Sequence, residues 1–425
     1  MKTHIKNGRV IDPKNGVDAV QDLFVGGGKI LGLGATPPGF SPNKTIDAAG
    51  LVVSPGFVDL SARLREPGFE YKATLQSEMR AAVAGGVTSL ACPPDTDPPL
   101  DEPGLVEMLK HRARSLNLAH VYPLGALTAK LEGERLTEMA ELRDAGCVAF
   151  SQADRQILDT EVLWRALQYA KTFGFTVWLR PQDSFLAKAG IAHDGEVATR
   201  LGLAGIPAFA ETIALAAILQ LVRATGARVH LCRLSTAEAV AMVRDAKQAG
   251  LPVTCDVAVH HLHLSEMDLG YFDPHCNLVP PLRSLRDRDA LRQGARDGAI
   301  DAICSDHTPV DDDAKQMPFA ESEPGATGLE LLLPLTLKWA QELKIPLLQA
   351  LARITSEPAK VLNIDAGHLG VGAEADICIF AAEQWFKLSA ESLKSQGRNT
   401  PFLGYELPGV TRYTFVSGRL CHEAR

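Results

Sequence analysis

Residues 228–259 read RVHLCRLSTAEAVAMVRDAKQAGLPVTCDVAV, and the fold is decided in this stretch. Val229–Arg233 and Val253–Val259 are short, nearly continuous apolar runs, the pattern of parallel strands buried on both faces. Between them Ala237–Gln248 has helical periodicity. It opens on Ser235-Thr236-Ala237-Glu238, a capping-box pattern, and stops at Gly250. Strand, helix, strand is one repeat of an α/β architecture. Outward from it the same alternation recurs. Further apolar runs lie at Val52–Leu60, Val87–Cys92, His120–Leu127, Cys147–Ser151, Thr176–Arg180 and Ala302–Ser305. Helical segments such as Leu75–Ala84, Glu161–Lys171 and Ile213–Arg223 separate them. Eight such units predict a (β/α)8 TIM barrel.

The two ends have a different texture. Asn7-Gly8 inside His4–Asp12 reads as a hairpin turn, as does Gly26-Gly27-Gly28 between Asp22–Val25 and Lys29–Leu33. The glycines lack the helix and lysine–serine pair of a phosphate loop. Ala375–Phe380 is a buried-strand pattern, and Ser417-Gly418 joins Thr411–Val416 to Arg419–His422. A small β-sandwich domain built from both termini, residues 1–54 with 365–425, is therefore expected around a barrel of residues 55–364.

Composition narrows the function classes. A hydrophobic fraction of 46% and a charged fraction of 22% are those of an ordinary globular chain. A net charge of -8 gives no reason to expect nucleic acid or an anionic membrane as partner. The eight cysteines form no C-x-x-C pair, which argues for reduced thiols in a cytosol, and neither a signal-peptide core nor a membrane-length apolar run is present. A cytoplasmic protein is expected.

Chemistry in a barrel sits at the C-terminal ends of its strands. Those positions hold Asp59, Ser61 and Arg63; Asp95; Gln152 and Ala153; Arg180; Arg233; His260 and His261; and Asp306 with His307. The set is polar, as an active site requires, but poor in metal ligands. Imidazoles cluster only at His260-His261-Leu262-His263, where His261 and His263 would share a face if the strand continued; structural histidines of a barrel loop are the expected reading. Asp311-Asp312-Asp313 is expected to be a solvated loop.

These strand ends resemble the dihydroorotase family of the amidohydrolase superfamily, in its longer, bacterial-type branch. The resemblance rests on Pro55-Gly56-Phe57-Val58-Asp59 with Arg65-Glu66-Pro67-Gly68, Ala84-Gly85-Gly86-Val87-Thr88, Leu201-Gly202 to Ile206-Pro207, Pro280-Pro281-Leu282-Arg283, Asp301-Ala302-Ile303 with Asp306-His307, and Asn399–Gly404. It implies a zinc-dependent hydrolase that interconverts dihydroorotate and N-carbamoyl-aspartate, the metal supplying hydroxide near neutral pH. The ligand positions that it implies are largely lost. The His-x-His pair falls on Ser61 and Arg63, and the bridging acid falls on Gln152 and Ala153 within Phe150-Ser151-Gln152-Ala153-Asp154. The two further histidines fall on Arg180 and Arg233, and only Asp306 keeps its identity. Arg65 stands where the family grips the substrate carboxylate, Asp95 and Val279 replace asparagines, and His307 remains beside Asp306. Arginine stays protonated and cannot ligate zinc.

No bound zinc and no intact catalytic set are therefore expected, with Asp306 and His307 as remnants. Arg63, Arg180 and Arg233 against Asp306, with Asp95 nearby, would leave a positive centre. Either one or two of these arginines pair with the aspartates and the rest, with Arg65, hold a small anion, or all the charges pair internally and the pocket is closed. The resemblance is closest to non-catalytic dihydroorotase-like chains that assemble with aspartate carbamoyltransferase in de novo pyrimidine biosynthesis. A homodimer or hetero-oligomer is then expected. The alternatives are an active dihydroorotase with a metal-poor or atypical site, and a small-molecule sensor.

Overall fold

The computed structural model describes residues 2–424. Eight parallel strands form the barrel: β1 (Phe57–Asp59), β2 (Val87–Cys92), β3 (His120–Ala126), β4 (Ala149–Ser151), β5 (Thr176–Leu179), β6 (Arg228–Leu231), β7 (Val253–Ala258) and β8 (Ala302–Cys304). Each pairs with the next, from β1 through to β8. The ring closes just past the ends of β1 and β8, where Ala62 bridges His307 in parallel. There the Arg63 N–H donates to the His307 carbonyl at 2.9 Å and the His307 N–H to the Ser61 carbonyl at 3.0 Å. Inside, Val58, Leu60, Ala91, Leu124, Trp178, Ala258 and Cys304 fill the barrel, so it is a packed core and not a pore.

The helices follow local chemistry. Leu75–Ala84 starts on a capping box between Thr74 and Ser77. Ala237–Gln248 is capped one residue later than its sequence suggests. The N-cap is Thr236, accepting from the Ala239 N–H at 3.2 Å, while the Ser235 and Thr236 hydroxyls both donate to Glu211.

A second, eight-stranded sheet joins the termini: Lys2–Asp12, Val17–Gly26, Lys29–Leu33, Lys44–Asp47 and Val52–Pro55 from one end, Ile377–Lys387, Glu406–Val416 and Arg419–Glu423 from the other. The hairpins at Gly27-Gly28 and Ser417-Gly418 form as expected. Two expectations need correction. Asn7-Gly8 is not a turn but lies in one strand of 11 residues, at a register shift between Ile5 and Gly8. Asn7 adopts φ 64 there, a β-bulge that bends the strand. On the bend, Thr3–Lys6 pair with Lys44–Asp47 while Arg9 and Val10 pair with Val52 and Val53. The run Val52–Leu60 is likewise two strands, Val52–Pro55 in the terminal sheet and Phe57–Asp59 in the barrel. The break is at Gly56, where a Cβ would lie 2.2 Å from the Thr88 side chain, so the chain crosses between sheets where only glycine fits. No helix among the described residues is long and apolar enough to cross a membrane.

Candidate functional site at the barrel mouth

The strand ends converge on one carboxylate that the sequence reading passed over. The segment after β4 turns at Ala153, which adopts φ 52, and this brings Asp154 under three guanidiniums. Arg63 donates to it from Nη2 at 2.6 Å and Arg180 from Nε at 2.8 Å, and Arg233 Nη2 lies on its Oδ1 as well. Asp154 is the hub of the mouth, and its loss of the aligned acids next door is no loss of carboxylate here. Gln152 turns aside to Thr128, with their side chains 2.8 Å apart, and Ala153 packs with Ala126 and Leu131.

Asp306 is the second anchor. Arg233 Nη1 donates to it at 2.9 Å, Ser61 Oγ lies 3.4 Å away, and Arg63 Nη1 is 3.6 Å away. Asp95 takes Arg63 Nε at 2.8 Å, and Thr308 Oγ1 accepts from Arg63 Nη1 at 3.0 Å. Three guanidiniums thus face three carboxylates, and the positive centre expected from sequence is corrected to a neutral one. Asp154 supplies the additional negative charge. Of the site residues, Arg65 has no carboxylate partner among the described residues. It donates from Nε to the Pro309 carbonyl at 2.8 Å and lies over the Phe69 ring.

Neighbours that no motif singled out fix the arginines. Asp256 accepts the Arg233 backbone N–H at 2.5 Å, holding that residue in a left-handed conformation, φ 52. Gln182 accepts from Arg180 Nη1 at 2.7 Å, and the Val279 carbonyl from Arg233 Nη1 at 3.3 Å. Arg65 and Asp306 also sit at positive φ, 62 and 46. Each such conformation in a non-glycine residue costs on the order of 1 kcal/mol, and its recurrence here marks a backbone shaped by the site.

The charges respond to this packing. Burial alone would raise the Asp154 carboxyl, but the pull of Arg233, Arg63 and Arg180 outweighs it and holds the group well below the ordinary carboxylate range. Asp306 goes the other way: burial raises it, and Arg233 and Arg63 offset this only in part because Asp154 opposes them. Burial lowers Arg65, with Arg63 adding to the effect.

A family model described as dihydro-orotase-like matches residues 50–239. A dihydroorotase-like protein of Pseudomonas aeruginosa is 48% identical over 423 residues, covering 100% of both chains. A dihydroorotase of Geobacter sp. is 40% identical over 427 residues, again with 100% of both covered. The chain belongs to the dihydroorotase-like family. In fold it matches the L-hydantoinase (dihydropyrimidinase) of Arthrobacter aurescens with a TM-score of 0.89, at 24% identity over 99% of this chain and 96% of that one.

Within this dihydroorotase-like barrel, the remaining candidates lie away from the mouth's centre. His307 is a strut: Nε2 meets Glu78 at 2.6 Å, and Nδ1 accepts from the Gly328 N–H at 3.1 Å. Asp59 ties β1 to the residue after β8 through the Ser305 N–H at 2.7 Å, and burial pushes its carboxyl up to about 7. The histidine cluster is no ligand set. The chain leaves β7 in a 3-10 turn over Val259–Leu262, so His261 and His263 do not share a strand face. They meet the Pro280 and Leu335 carbonyls at 3.1 and 2.9 Å, and His260 has no hydrogen-bond partner among the described residues. Burial holds all three neutral, lowered to about 3 for His260 and about 4 for the others. Asp311–Asp313 forms a short capped turn at the surface.

Proposed function

We propose that this dihydroorotase-like chain is a non-catalytic subunit that supports assembly of aspartate carbamoyltransferase in the cytoplasm, within de novo pyrimidine biosynthesis. One observation carries the reading: Arg63, Arg180 and Arg233 occupy the mouth and are locked onto Asp154 and Asp306. Zinc needs imidazole, carboxylate or thiolate donors, whereas guanidinium is a fixed cation. The donor set therefore does not suit the family's zinc, and both central carboxylates are already engaged by cations. Without a metal to lower the pKa of water, Asp306 has no competent nucleophile to activate.

A protein partner has a surface to use. Leu158, Phe185, Phe209 and Ile213 are 58%, 72%, 54% and 50% exposed. Their three segments are tied together by the Ser184 N–H to Gln156 Oε1 at 2.6 Å and the Asp183 N–H to the Ala210 carbonyl at 2.8 Å. Large apolar side chains grouped on a surface mark interaction sites. The partner's identity comes from the family resemblance.

Co-expression with aspartate carbamoyltransferase and size-exclusion chromatography test the assembly role, with a stoichiometric complex expected and separate elution at micromolar concentration opposing it. The competing reading, an active dihydroorotase with an atypical site, draws on the 40% identity to a protein of that name. Zinc-dependent turnover of dihydroorotate, abolished by Asp306→Asn, would establish that reading instead.

A further inference from the structure

A second charged site lies at the opposite end of the barrel. The helix Pro103–Leu116, the start of β3, the approach to β4 and the hairpin before Arg419 enclose a cleft of about 660 Å³. Lys110, Arg114, Arg143 and Arg419 line it, and no aspartate or glutamate does. Among the described residues none of these four cations lies within 4.0 Å of a carboxylate oxygen. Carboxylates stand behind one wall, where Asp376 and Glu374 meet the lining residues His120 and Ser417. The contrast with the mouth is direct, since there three guanidiniums are matched by three carboxylates.

Two of the four are positioned by backbone. Lys110 Nζ donates to the Ala145 carbonyl at 3.4 Å and Arg143 Nη1 to the Cys147 carbonyl at 2.9 Å. Burial, and then the neighbouring Arg114 charge, lowers the Lys110 ammonium, and Glu107 offsets this only in part. Asn117, Tyr122 and Ser417 add polar groups to the wall, and Val121 and Val416 add apolar surface. The volume falls within the roughly 300–1,000 Å³ of small-ligand sites. A concave pocket lined by four cations suits a compact, multiply charged anion better than an extended acidic peptide, which needs an open track.

We propose that this cleft binds a small polyphosphate-bearing metabolite, its phosphates on Lys110, Arg114, Arg143 and Arg419. Nothing in this depends on whether the barrel mouth is catalytic. The test is titration calorimetry on the full chain with inorganic triphosphate and with a nucleoside triphosphate, at low salt and at high salt. Saturable binding of at least one probe is expected. It should weaken at least tenfold in Arg143→Glu/Arg419→Glu and in Lys110→Gln/Arg114→Gln, weaken with salt, and stay unchanged in Arg65→Gln at the opposite mouth. The two double variants remove different cations, so a folding defect in one leaves the other decisive. No binding by either probe, or binding indifferent to both double variants, overturns the proposal. So does capture of a polyglutamate peptide when neither phosphate probe binds, which would make the cleft a docking site for an acidic protein segment.

Discussion

Asp154 carries more of the mouth than any residue that a motif would have chosen. It accepts from three arginines, whereas Asp306 has one close pair, with Arg233. Removing one side of such a network strands the other. Asp154→Asn should therefore destabilise the protein by an amount at the lower end of roughly 3–5 kcal/mol, since 32% of the side chain is open. Asp306→Ala should cost less, and denaturant melts of both variants check the order. A silent Asp154→Asn would mean that the arginines are not held by it. The pH dependence has a definite sign. The folded-state pKa of Asp154 is depressed, so its stabilisation is complete above the unfolded value near 4 and is lost as pH falls through the folded one. The stability gap between wild type and Asp154→Asn should accordingly be flat from pH 5 to 8 and close only below about pH 4.

At the scale of the element, the mouth's side chains come from several different strand ends, and replacing a single end does not rebuild a metal site. Ser61→His with Arg63→His supplies two imidazoles past β1 but leaves Arg180 past β5 and Arg233 past β6. It also removes the Arg63 that faces Asp95, Asp154 and Asp306. The double variant should bind no stoichiometric zinc by elemental analysis; one tightly held ion per chain would oppose this. The end of β7 yields a different prediction. His260 is buried, without a hydrogen-bond partner among the described residues, and lowered to about 3. A histidine kept neutral by the fold stabilises fully above its unfolded pKa near 6.5, and that contribution is lost as pH falls toward the folded one. Wild type should thus lose about 2 kcal/mol more than His260→Phe between pH 7 and 5, at 1.36 kcal/mol per unit below 6.5. Equal slopes in the two melting series would show that the ring is reached by water or a partner.

For the whole molecule, the exposed apolar group at Leu158, Phe185, Phe209 and Ile213 makes the assembly reading testable on one face. Phe185→Asp with Ile213→Asp should abolish a complex with aspartate carbamoyltransferase while leaving the melting temperature within a few degrees, because both side chains are at least half exposed. An unchanged complex would place the interface elsewhere. The barrel itself was legible in the chain. Continuous apolar runs are what strands covered on both faces require, and their spacing leaves room for one helix each. The terminal hairpins were legible for the same local reason, glycine at positions of positive φ such as Gly27 and Gly418. Asn7-Gly8 and Gly56 were misread because a bulge and a crossing between sheets use the same residues as a turn or an uninterrupted strand. Only the partner strand and the Thr88 side chain separate these possibilities. The sequence also determined which residue types stand at the strand ends, and so that three arginines meet there. It did not determine the charge balance. A single left-handed residue, Ala153, swings Asp154 into the mouth, and Asp256 fixes the turn that aims Arg233 at it. The pairings of Asp154 with Arg180 and Arg63 join residues 26 and 91 positions apart, and Ser61 meets Asp306 across 245. No local pattern encodes them, because they exist only once closure of the ring has set the distances between strand ends.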